Sequence, residues 1–331
     1  MTIKKCTQYP SYNIYTTNIY TTNISYDYDI DKIIAYGLTD SQSMIDAIVK
    51  EYLPGISLNF QAPDFGCSAF SISDENAHIL MGRNYDFKND SSALLLTCQP
   101  KHGYRSVATA ALDNIQMNQP EKSEKGAALA EIAAPFICLD GSNEKGVSIA
   151  VLTLDSEPTY QHTGKPIIPT TLAIRLVLDR ASSTKEAIAL LKQYDMMATS
   201  GRDYHFYITD ASGDGRVVEY DCCDASRPLV ATPLRSITNF YGMYKEKVKP
   251  YQTNGIYGHG KERYDAMEKI FASQTNFTKD TAWQALQVAS QAPNPEDITS
   301  NTQWSIVYDN TDLTAAIVLR RDWQQKIAYH L

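Results

Sequence analysis

The chain has 331 residues, of which 43% are hydrophobic and 21% are charged, so a substantial core can form in one large domain or two ordinary ones. Its formal net charge of −8 gives no electrostatic reason to bind nucleic acid or an anionic membrane surface. No apolar run approaches the roughly 18 residues of a membrane span, and the first residues contain no signal-peptide core, so we expect a cytoplasmic protein.

The N-terminal region consists of an extension of biased amino-acid composition and a predicted helix. Residues 1–30 are of low complexity, with an Asn-Ile-Tyr-Thr-Thr unit that occurs at Asn13 and at Asn18 and begins again at Asn23. This extension is rich in β-prone residues, but no turn signal divides it, and we assign it no function. Residues 40–53 are predicted to be helical, because Asp40 can cap a run with apolar residues at i, i+3 and i+4.

After the helix, the chain reads as strands joined by polar turns, with helices between groups of strands. Residues 67–73 and 78–86 predict a hairpin. The further predicted strands are 92–98, 104–112, 136–139, 147–154, 204–209, 216–220, 304–308 and 313–319, and the predicted helices are 170–180, a second one opened by a capping box at 183–186, 262–271 and 279–289. This order favours an α+β fold, a four-layer α-β-β-α sandwich of two antiparallel sheets, over a parallel βαβ sheet.

The cysteines and histidines do not form a pattern typical of metal sites. The six cysteines are Cys6, Cys67, Cys98, Cys138, Cys222 and Cys223. They contain no CxxC pair and no interleaved histidine, which argues against a zinc site and a disulfide scaffold. Cys222 and Cys223 are predicted to be reduced thiols on opposite faces of a strand, with a strained vicinal disulfide as the alternative. No histidine motif, GxGxxG loop or Walker loop occurs, so we expect no metal and no cofactor.

One of these cysteines, Cys67, occupies a distinctive position. It follows Gly66, begins a predicted strand, and is followed on the return strand by Arg83 and Asp86. Glycine has no Cβ and lets a backbone or ligand approach closely. The residues alone fit a buried core cysteine as well as a nucleophile.

The spacing of several motifs resembles that of the choloylglycine hydrolase family of linear-amide C–N hydrolases. Gly-Cys-Ser at 66–68 is followed by Gly-Arg-Asn-Tyr-Asp at 82–86. Further stretches that agree with the family are Asp-Gly-Ser-Asn-Glu-Lys-Gly at 140–146, Thr-Asp-Ala-Ser-Gly at 209–213, Thr-Asn-Phe at 238–240 and Gln-Trp-Ser-Ile-Val-Tyr at 303–308. The resemblance extends from about residue 40 to the C-terminus and implies the fold of the N-terminal nucleophile hydrolases.

In such enzymes the precursor is cut just before the nucleophile. The resemblance therefore implies cleavage between Gly66 and Cys67, a propeptide of residues 1–66 and a catalytic domain of residues 67–331. A cysteine that becomes the chain N-terminus carries its own base, because an α-amino group titrates near pH 7.7–8.0. The amine, directly or through a water, takes the thiol proton, and the thiolate attacks an amide carbonyl.

The family pattern also implies roles for other residues. Arg83 would stabilise the thiolate and help to orient the substrate, and Asp86 would accept hydrogen bonds from the new α-amino group. Asn239 would donate its amide to the tetrahedral oxyanion. Arg263 matches either a second family arginine that supports the site or a solvated helix arginine. Asn143 either shapes its turn or contacts the substrate.

The sequence departs from bile salt hydrolases in two places. Where they carry a second oxyanion-hole asparagine on the strand after the 140–146 motif, this chain has Thr153, which we expect to contact the substrate instead. The long segment before Cys67 is more typical of the amidase, ceramidase and acyltransferase members of the superfamily, which lose a real propeptide.

The function indicated is that of an autoprocessed cysteine amidase that cleaves a linear, non-peptide amide of an N-acyl substrate through a thioester. Two alternatives stay open: an acyltransferase that passes the acyl group to an amine, and an unprocessed, non-catalytic binding relative. The expected partner is a small N-acyl amide, and a homo-oligomer is left open.

Overall fold

The computed structural model describes residues 3–5, 19–52, 54, 66–87, 90–199, 201–253, 255–294 and 301–331. The strands are β1 (Lys4–Lys5), β2 (Ile19–Asn23), β3 (Gly66–Ser73), β4 (Ile79–Asp86), β5 (Ala93–Cys98), β6 (Ser106–Ala111), β7 (Cys138–Asn143), β8 (Ser148–Leu154), β9 (Ile167–Pro169), β10 (Asp195–Met197), β11 (Asp203–Thr209), β12 (Arg216–Tyr220), β13 (Leu229–Thr232), β14 (Ser236–Ile237), β15 (Thr302–Asp309), β16 (Thr314–Leu319) and β17 (Ile327–His330). The helices are α1 (Ile30–Ile34), α2 (Ser41–Tyr52), α3 (Glu124–Ala133), α4 (Thr170–Arg180), α5 (Thr184–Leu191), α6 (Lys261–Ala272) and α7 (Lys279–Ala289).

Two large sheets form the centre of the fold. The described residues give a nine-stranded sheet in the order β1-β2-β5-β6-β7-β8-β11-β12-β13 and a six-stranded sheet in the order β14-β3-β4-β15-β16-β17. Strand β3 packs against β8 and β11 of the larger sheet, α4 covers β7 and β8, and α7 covers β3, β4 and β15. The predicted α-β-β-α sandwich is therefore confirmed.

The alternation of side chains along β3 decides where Cys67 points. Phe70 and Ile72 belong to the core between the smaller sheet and helices α6 and α7, whereas Cys67 and Ala69 belong to the core between the two sheets. Successive side chains of a strand face opposite sides, so residues 67, 69 and 71 share the inner face. The Ser71 hydroxyl accordingly lies 3.1 Å from that of Thr209 on β11.

The N-terminal segment is part of this fold. Residues 19–22 of the second repeat copy, together with Asn23, form β2, which pairs in parallel with β5, so the larger sheet is antiparallel except between these two strands. The predicted helix is confirmed as α2, and the Asp40 carboxylate accepts a hydrogen bond from the Ser43 N–H at 2.7 Å. The first copy of the repeat and residues 55–65 lie outside the described residues.

The two adjacent cysteines are reduced as predicted, but their predicted position on a strand is wrong. Strand β12 ends at Tyr220, and Cys222 and Cys223 lie in the turn that follows it, both as free thiols. Two further differences concern α3, which the sequence patterns do not predict, and Asp140, which lies on strand β7 and not in the turn predicted for residues 140–146.

Among the described residues, no helix has the length and apolar character needed to cross a membrane.

Candidate active site

Cys67 is completely buried on the inner face of β3, and the side chains of Arg83, Asn239 and Arg263 meet around it. Its Sγ accepts a hydrogen bond from Arg83 Nη2 at 3.4 Å, and the same nitrogen donates to the Val151 carbonyl oxygen at 3.0 Å. Arg83 lies on β4, opposite Ala69 in the hairpin register, so the pairing of β3 with β4 brings the guanidinium to the sulfur. The predicted proximity of the two residues is present in the structure.

A buried carboxylate holds this arginine in place. Arg83 Nε lies 3.0 Å from Asp140 Oδ2, and both side chains are fully buried. Asp140 Oδ1 accepts hydrogen bonds from the hydroxyls of Thr109 at 2.6 Å and Tyr308 at 2.5 Å. Sequence reasoning missed Asp140, because the Asp-Gly-Ser-Asn motif is typical of a turn although its first residue lies on a strand. Its carboxylate is the counter-ion that a buried guanidinium requires.

The environment of Cys67 favours the protonated thiol over the thiolate. Burial raises the pKa of this thiol to about 12, although the Arg83 guanidinium opposes the increase. A thiol in apolar surroundings is a poor nucleophile until a base removes its proton. The site therefore combines a cationic partner for a thiolate with a sulfur that is neutral at neutral pH.

Asn239 contacts the Cys67 backbone directly. Its Oδ1 accepts a hydrogen bond from the Cys67 N–H at 2.9 Å, and its Nδ2 donates to the Thr153 carbonyl oxygen at 2.9 Å. A side-chain amide nitrogen has two hydrogens, so one remains for another acceptor. Asn239 follows β14 and is fixed from the other side, because its own carbonyl oxygen accepts from the His259 N–H at 2.8 Å.

Arg263 lies in the site and not on a solvated helix face. It is on the first turn of α6 and is only 7% exposed. Its Nη1 donates to the Cys67 carbonyl oxygen at 2.7 Å, and its Nη2 donates to Asn239 Oδ1 at 2.6 Å. Gly260 precedes the helix with a φ of +82°, and a Cβ there would meet the guanidinium. Of its two predicted environments, the structure places Arg263 in the first.

Asp86 ends β4 opposite Gly66 and is also buried. Its Oδ1 accepts from the Thr302 hydroxyl at 2.6 Å, and its Oδ2 accepts from Gln291 Nε2 at 2.9 Å and lies 3.4 Å from Arg263 Nη1. Burial raises the pKa of this carboxyl above its usual range, although Arg263 acts in the other direction. In the continuous chain the Cys67 N–H is bonded to Asn239, and Asp86 lies beside the Gly66–Cys67 peptide bond.

The two residues expected to contact substrate have different surroundings. The Asn143 side chain forms its hydrogen bonds away from the cluster. Its Nδ2 donates to the carbonyl oxygens of Leu178 and Ala181, at the end of α4, at 2.9 and 2.8 Å. This network favours the turn-shaping interpretation of Asn143. Thr153 adjoins Asn239 through its carbonyl, and among the described residues its buried Oγ1 has no hydrogen-bond partner.

Two groups of side chains in the described residues bring three potential metal-ligating atoms within 4.8 Å of one another: Asp221 with Cys222 and Cys223, and His78 with Asp309 and Asp312. In the second group, Lys279 Nζ lies 2.9 Å from Asp309 Oδ2 and supplies a positive charge itself. Within the described ranges, the hydrogen bonds and ion pairs of the cluster around Cys67 include no residue of either group.

Solved structures share this architecture. A mutant of the conjugated bile acid hydrolase from Clostridium perfringens aligns with a TM-score of 0.57 at 15% identity, covering 80% of this chain and 92% of that one. Penicillin V acylase from Agrobacterium tumefaciens aligns with a TM-score of 0.55 at 17% identity, covering 76% of this chain and 83% of that one. The fold is that of the N-terminal nucleophile hydrolases.

Within this fold, a family model identifies the kind of hydrolase that the chain resembles. The model for linear amide C-N hydrolases, choloylglycine hydrolase family, matches residues 67–224, which include Cys67, Arg83, Asp86 and Asp140. The resemblance inferred from the motifs is confirmed over residues 67–224, the segment that matches this family of hydrolases of linear carbon–nitrogen amide bonds.

Proposed function

We propose that the chain is a precursor that cuts itself before Cys67 and then hydrolyses the linear amide of an N-acyl substrate through a thioester on Cys67. The observation that carries this proposal is the position of Cys67: its sulfur faces Arg83 Nη2 at 3.4 Å while its backbone N–H is held by Asn239 Oδ1 at 2.9 Å. Of the five cysteines described, Cys67 alone has an arginine hydrogen-bonded to its sulfur.

Self-cleavage uses the groups already in place. The Cys67 thiol attacks the Gly66 carbonyl carbon, the Gly66–Cys67 C–N bond breaks, and the nitrogen takes up the thiol proton and leaves as the new α-amine. Water then hydrolyses the Gly66 thioester and leaves a Gly66 carboxylate and a free Cys67. Because Asn239 and Arg263 hold the nitrogen and the carbonyl of Cys67 on either side, the residue keeps its position when the bond is lost.

Amide hydrolysis follows the same order with an external substrate. The α-amine of Cys67 accepts the thiol proton, and Arg83 stabilises the thiolate. The remaining hydrogen of Asn239 Nδ2 stabilises the oxyanion, and the proton passes to the leaving amine. Water resolves the thioester, releases the acid and returns the proton to the α-amine. Asp86, beside the new N-terminus, keeps that amine oriented.

The decisive experiment combines intact mass spectrometry with an assay on a panel of N-acyl amides. Purified wild-type protein is expected to give a chain of residues 67–331 and to release free acid. Cys67→Ala should keep the full-length mass and lose activity. An active Cys67→Ala variant would refute the nucleophile, and an uncut but active wild type would refute self-cleavage alone.

A further inference from the structure

The turn after β12 presents two adjacent thiols that the amide reaction does not use. Cys222 is half-buried and Cys223 is exposed, and both are free. The turn is held by hydrogen bonds that Asp221 accepts and donates: the Cys223 N–H donates to Asp221 Oδ1 at 2.8 Å, and the Asp221 N–H donates to the Pro228 carbonyl oxygen at 3.1 Å. The two sulfurs and a carboxylate oxygen of Asp221 lie within 4.8 Å of one another.

The surroundings of Cys223 favour its thiolate. Its sulfur lies 4.0 Å from the Tyr257 hydroxyl oxygen, to which Lys247 Nζ donates at 3.1 Å. The Lys247 ammonium is 4.6 Å from the ring centres of both Tyr244 and Tyr257. Hydrogen bonding from Tyr244, followed by Tyr257 and Cys222, lowers the pKa of the Cys223 thiol below its ordinary value. The Tyr257 hydroxyl and the Lys247 ammonium therefore lie on one side of an exposed sulfur, and the nearby Tyr244 hydroxyl donates its hydrogen to Asp221 Oδ1 at 2.7 Å.

Cys222 has the opposite character. Burial, together with the neighbouring Cys223 charge, raises the pKa of its thiol to about 12. The pair thus consists of an exposed sulfur whose surroundings favour the thiolate and an adjacent sulfur that keeps its proton. A nucleophilic thiolate beside a second thiol is the arrangement that oxidation to a disulfide requires.

We propose that Cys222 and Cys223 form a site of reversible oxidation by peroxides. The Cys223 thiolate attacks one oxygen of the peroxide, the O–O bond breaks, and Cys223 becomes a sulfenic acid while hydroxide, or alkoxide from an organic peroxide, leaves. The Cys222 sulfur then attacks the Cys223 sulfur, the S–O bond breaks, and the departing hydroxide takes the Cys222 proton as water. Two thiols lose two electrons in all, and the peroxide gains them.

Geometry and charge favour this chemistry over cation binding. The Lys247 ammonium beside the sulfurs repels a metal ion but stabilises a thiolate. Consecutive Cα atoms are about 3.8 Å apart, less than the roughly 4.4–6.8 Å usual for a disulfide, so the bond formed is strained and easily reduced. The site is therefore expected to be reset by a small dithiol.

The test is peptide mass spectrometry on full-length Cys67→Ala protein, in which the nucleophile of the amide reaction is absent. After exposure to hydrogen peroxide, the peptide that spans residues 222 and 223 should lose two hydrogens and regain them with dithiothreitol. In Cys222→Ser, Cys223 should stop as a sulfenic acid that dimedone traps. In Cys223→Ser, oxidation of Cys222 should be at least about tenfold slower, because the neutral thiol is a poor nucleophile.

A matched pair of tyrosine variants tests the environment. Tyr257→Phe should slow oxidation about threefold or more, because the sulfur loses the hydroxyl 4.0 Å away to which the Lys247 ammonium is bonded, whereas Tyr251→Phe, at a side chain 82% exposed, should leave the rate unchanged. The proposal is overturned if both thiols stay open to iodoacetamide after a treatment that oxidises glutathione. It is equally overturned if Cys223 proceeds to sulfinic acid with no disulfide. Neither result depends on whether the amidase proposal holds.

Discussion

Arg83 and Asp140 form an ion pair with no solvent exposure on either side, and the Arg83 guanidinium that is fixed in this way also bonds the Cys67 sulfur. A buried guanidinium is expensive to maintain without its counter-ion. The carboxylate therefore determines whether a cation lies beside the Cys67 sulfur.

Asp140→Asn should consequently reduce both stability and activity. Removing the charge of one partner leaves a buried charge uncompensated, so we expect the free energy of unfolding to fall by about 3 kcal/mol. Urea denaturation measures this loss. The control is Thr109→Val, which removes a neutral donor to the same carboxylate and should cost about 1 kcal/mol. Equal losses in the two variants would contradict the importance of the ion pair.

Asn239→Asp separates the acceptor of this side chain from its donor. The variant can still accept from Cys67 and Arg263, but it cannot donate to an oxyanion, so kcat should fall by about 10²–10³. The matched control is Asn143→Asp, which removes the donor to Leu178 and Ala181 away from the cluster. We expect that control to melt at a lower temperature and to keep kcat per folded molecule. A similar loss of kcat in both variants would argue against an oxyanion role for Asn239.

Gly258→Ala should impair the site by displacing the backbone of Asn239, although Gly258 itself is not a site residue. Gly258 has a φ of +100°, and a Cβ there would collide with the backbone of Asn239 and Phe240. Gly164 has a comparable φ of +90°, and in the described part of the chain no atom beyond its neighbours lies within 4 Å of the place that a Cβ would occupy. Gly164→Ala therefore reports backbone strain alone, about 1 kcal/mol. We expect Gly258→Ala to lose more stability than Gly164→Ala and to lower kcat. Thermal melts with parallel kinetics make the comparison.

The N-terminal segment should remain bound after cleavage. Ile19, Tyr20, Ile33, Met44 and Ile45 are all completely buried. Its strand β2 is hydrogen-bonded to β5, and Arg180 makes a two-pronged ion pair with Asp31 at 2.9 and 2.8 Å. Native mass spectrometry should therefore find both pieces in one complex, and only denaturant should separate them. Free residues 67–331 in the native spectrum would contradict this expectation.

A histidine on the hairpin β3–β4 gives a test by pH. His78 Nδ1 lies 3.0 Å from Asp309 and 3.3 Å from Asp312, with Asp74 and Lys279 also nearby. The hydrogen bond to Asp309 raises the pKa of His78 above its ordinary value. A raised pKa contributes stability that is complete below the unfolded-state value and is lost as pH rises through the folded-state value. The melting-temperature difference between wild type and His78→Gln should thus shrink from about pH 6 to pH 8. A constant difference would contradict the ion pair.

The layers of the fold could be predicted from the sequence because period-2 and period-3.6 patterns are local. The hairpin of Cys67 and Arg83 was predicted, since both strands are adjacent in the chain. Asp140 was not, because its role depends on a strand that reaches the site only through the packing of one sheet on the other. Arg263 could be suggested by the family pattern alone, because nothing local in α6 distinguishes it from a solvated arginine.

Strand β2 could not be predicted from the sequence for a related reason. The repeat contains β-prone residues with no partner strand nearby in sequence, and its pairing with β5 spans more than seventy residues of chain. A pattern within the repeat cannot reveal such a distant partner. Cys222 and Cys223 were misplaced because two adjacent apolar residues after β12 look like an extension of the strand, while Asp221 ends it by capping the turn.

The parallel pairing of β2 with β5 has a practical consequence for anyone who produces the enzyme. Strand β5 is buried along its whole length and carries three consecutive leucines. If translation were started at Cys67, β2 would be missing. The backbone N–H and C=O groups of β5 that pair with β2 would then be exposed beside apolar side chains, and such an exposed strand edge is a template for aggregation. A recombinant gene that encodes only the catalytic part would therefore yield insoluble material, whereas co-expression of residues 1–66 as a separate peptide should restore soluble protein.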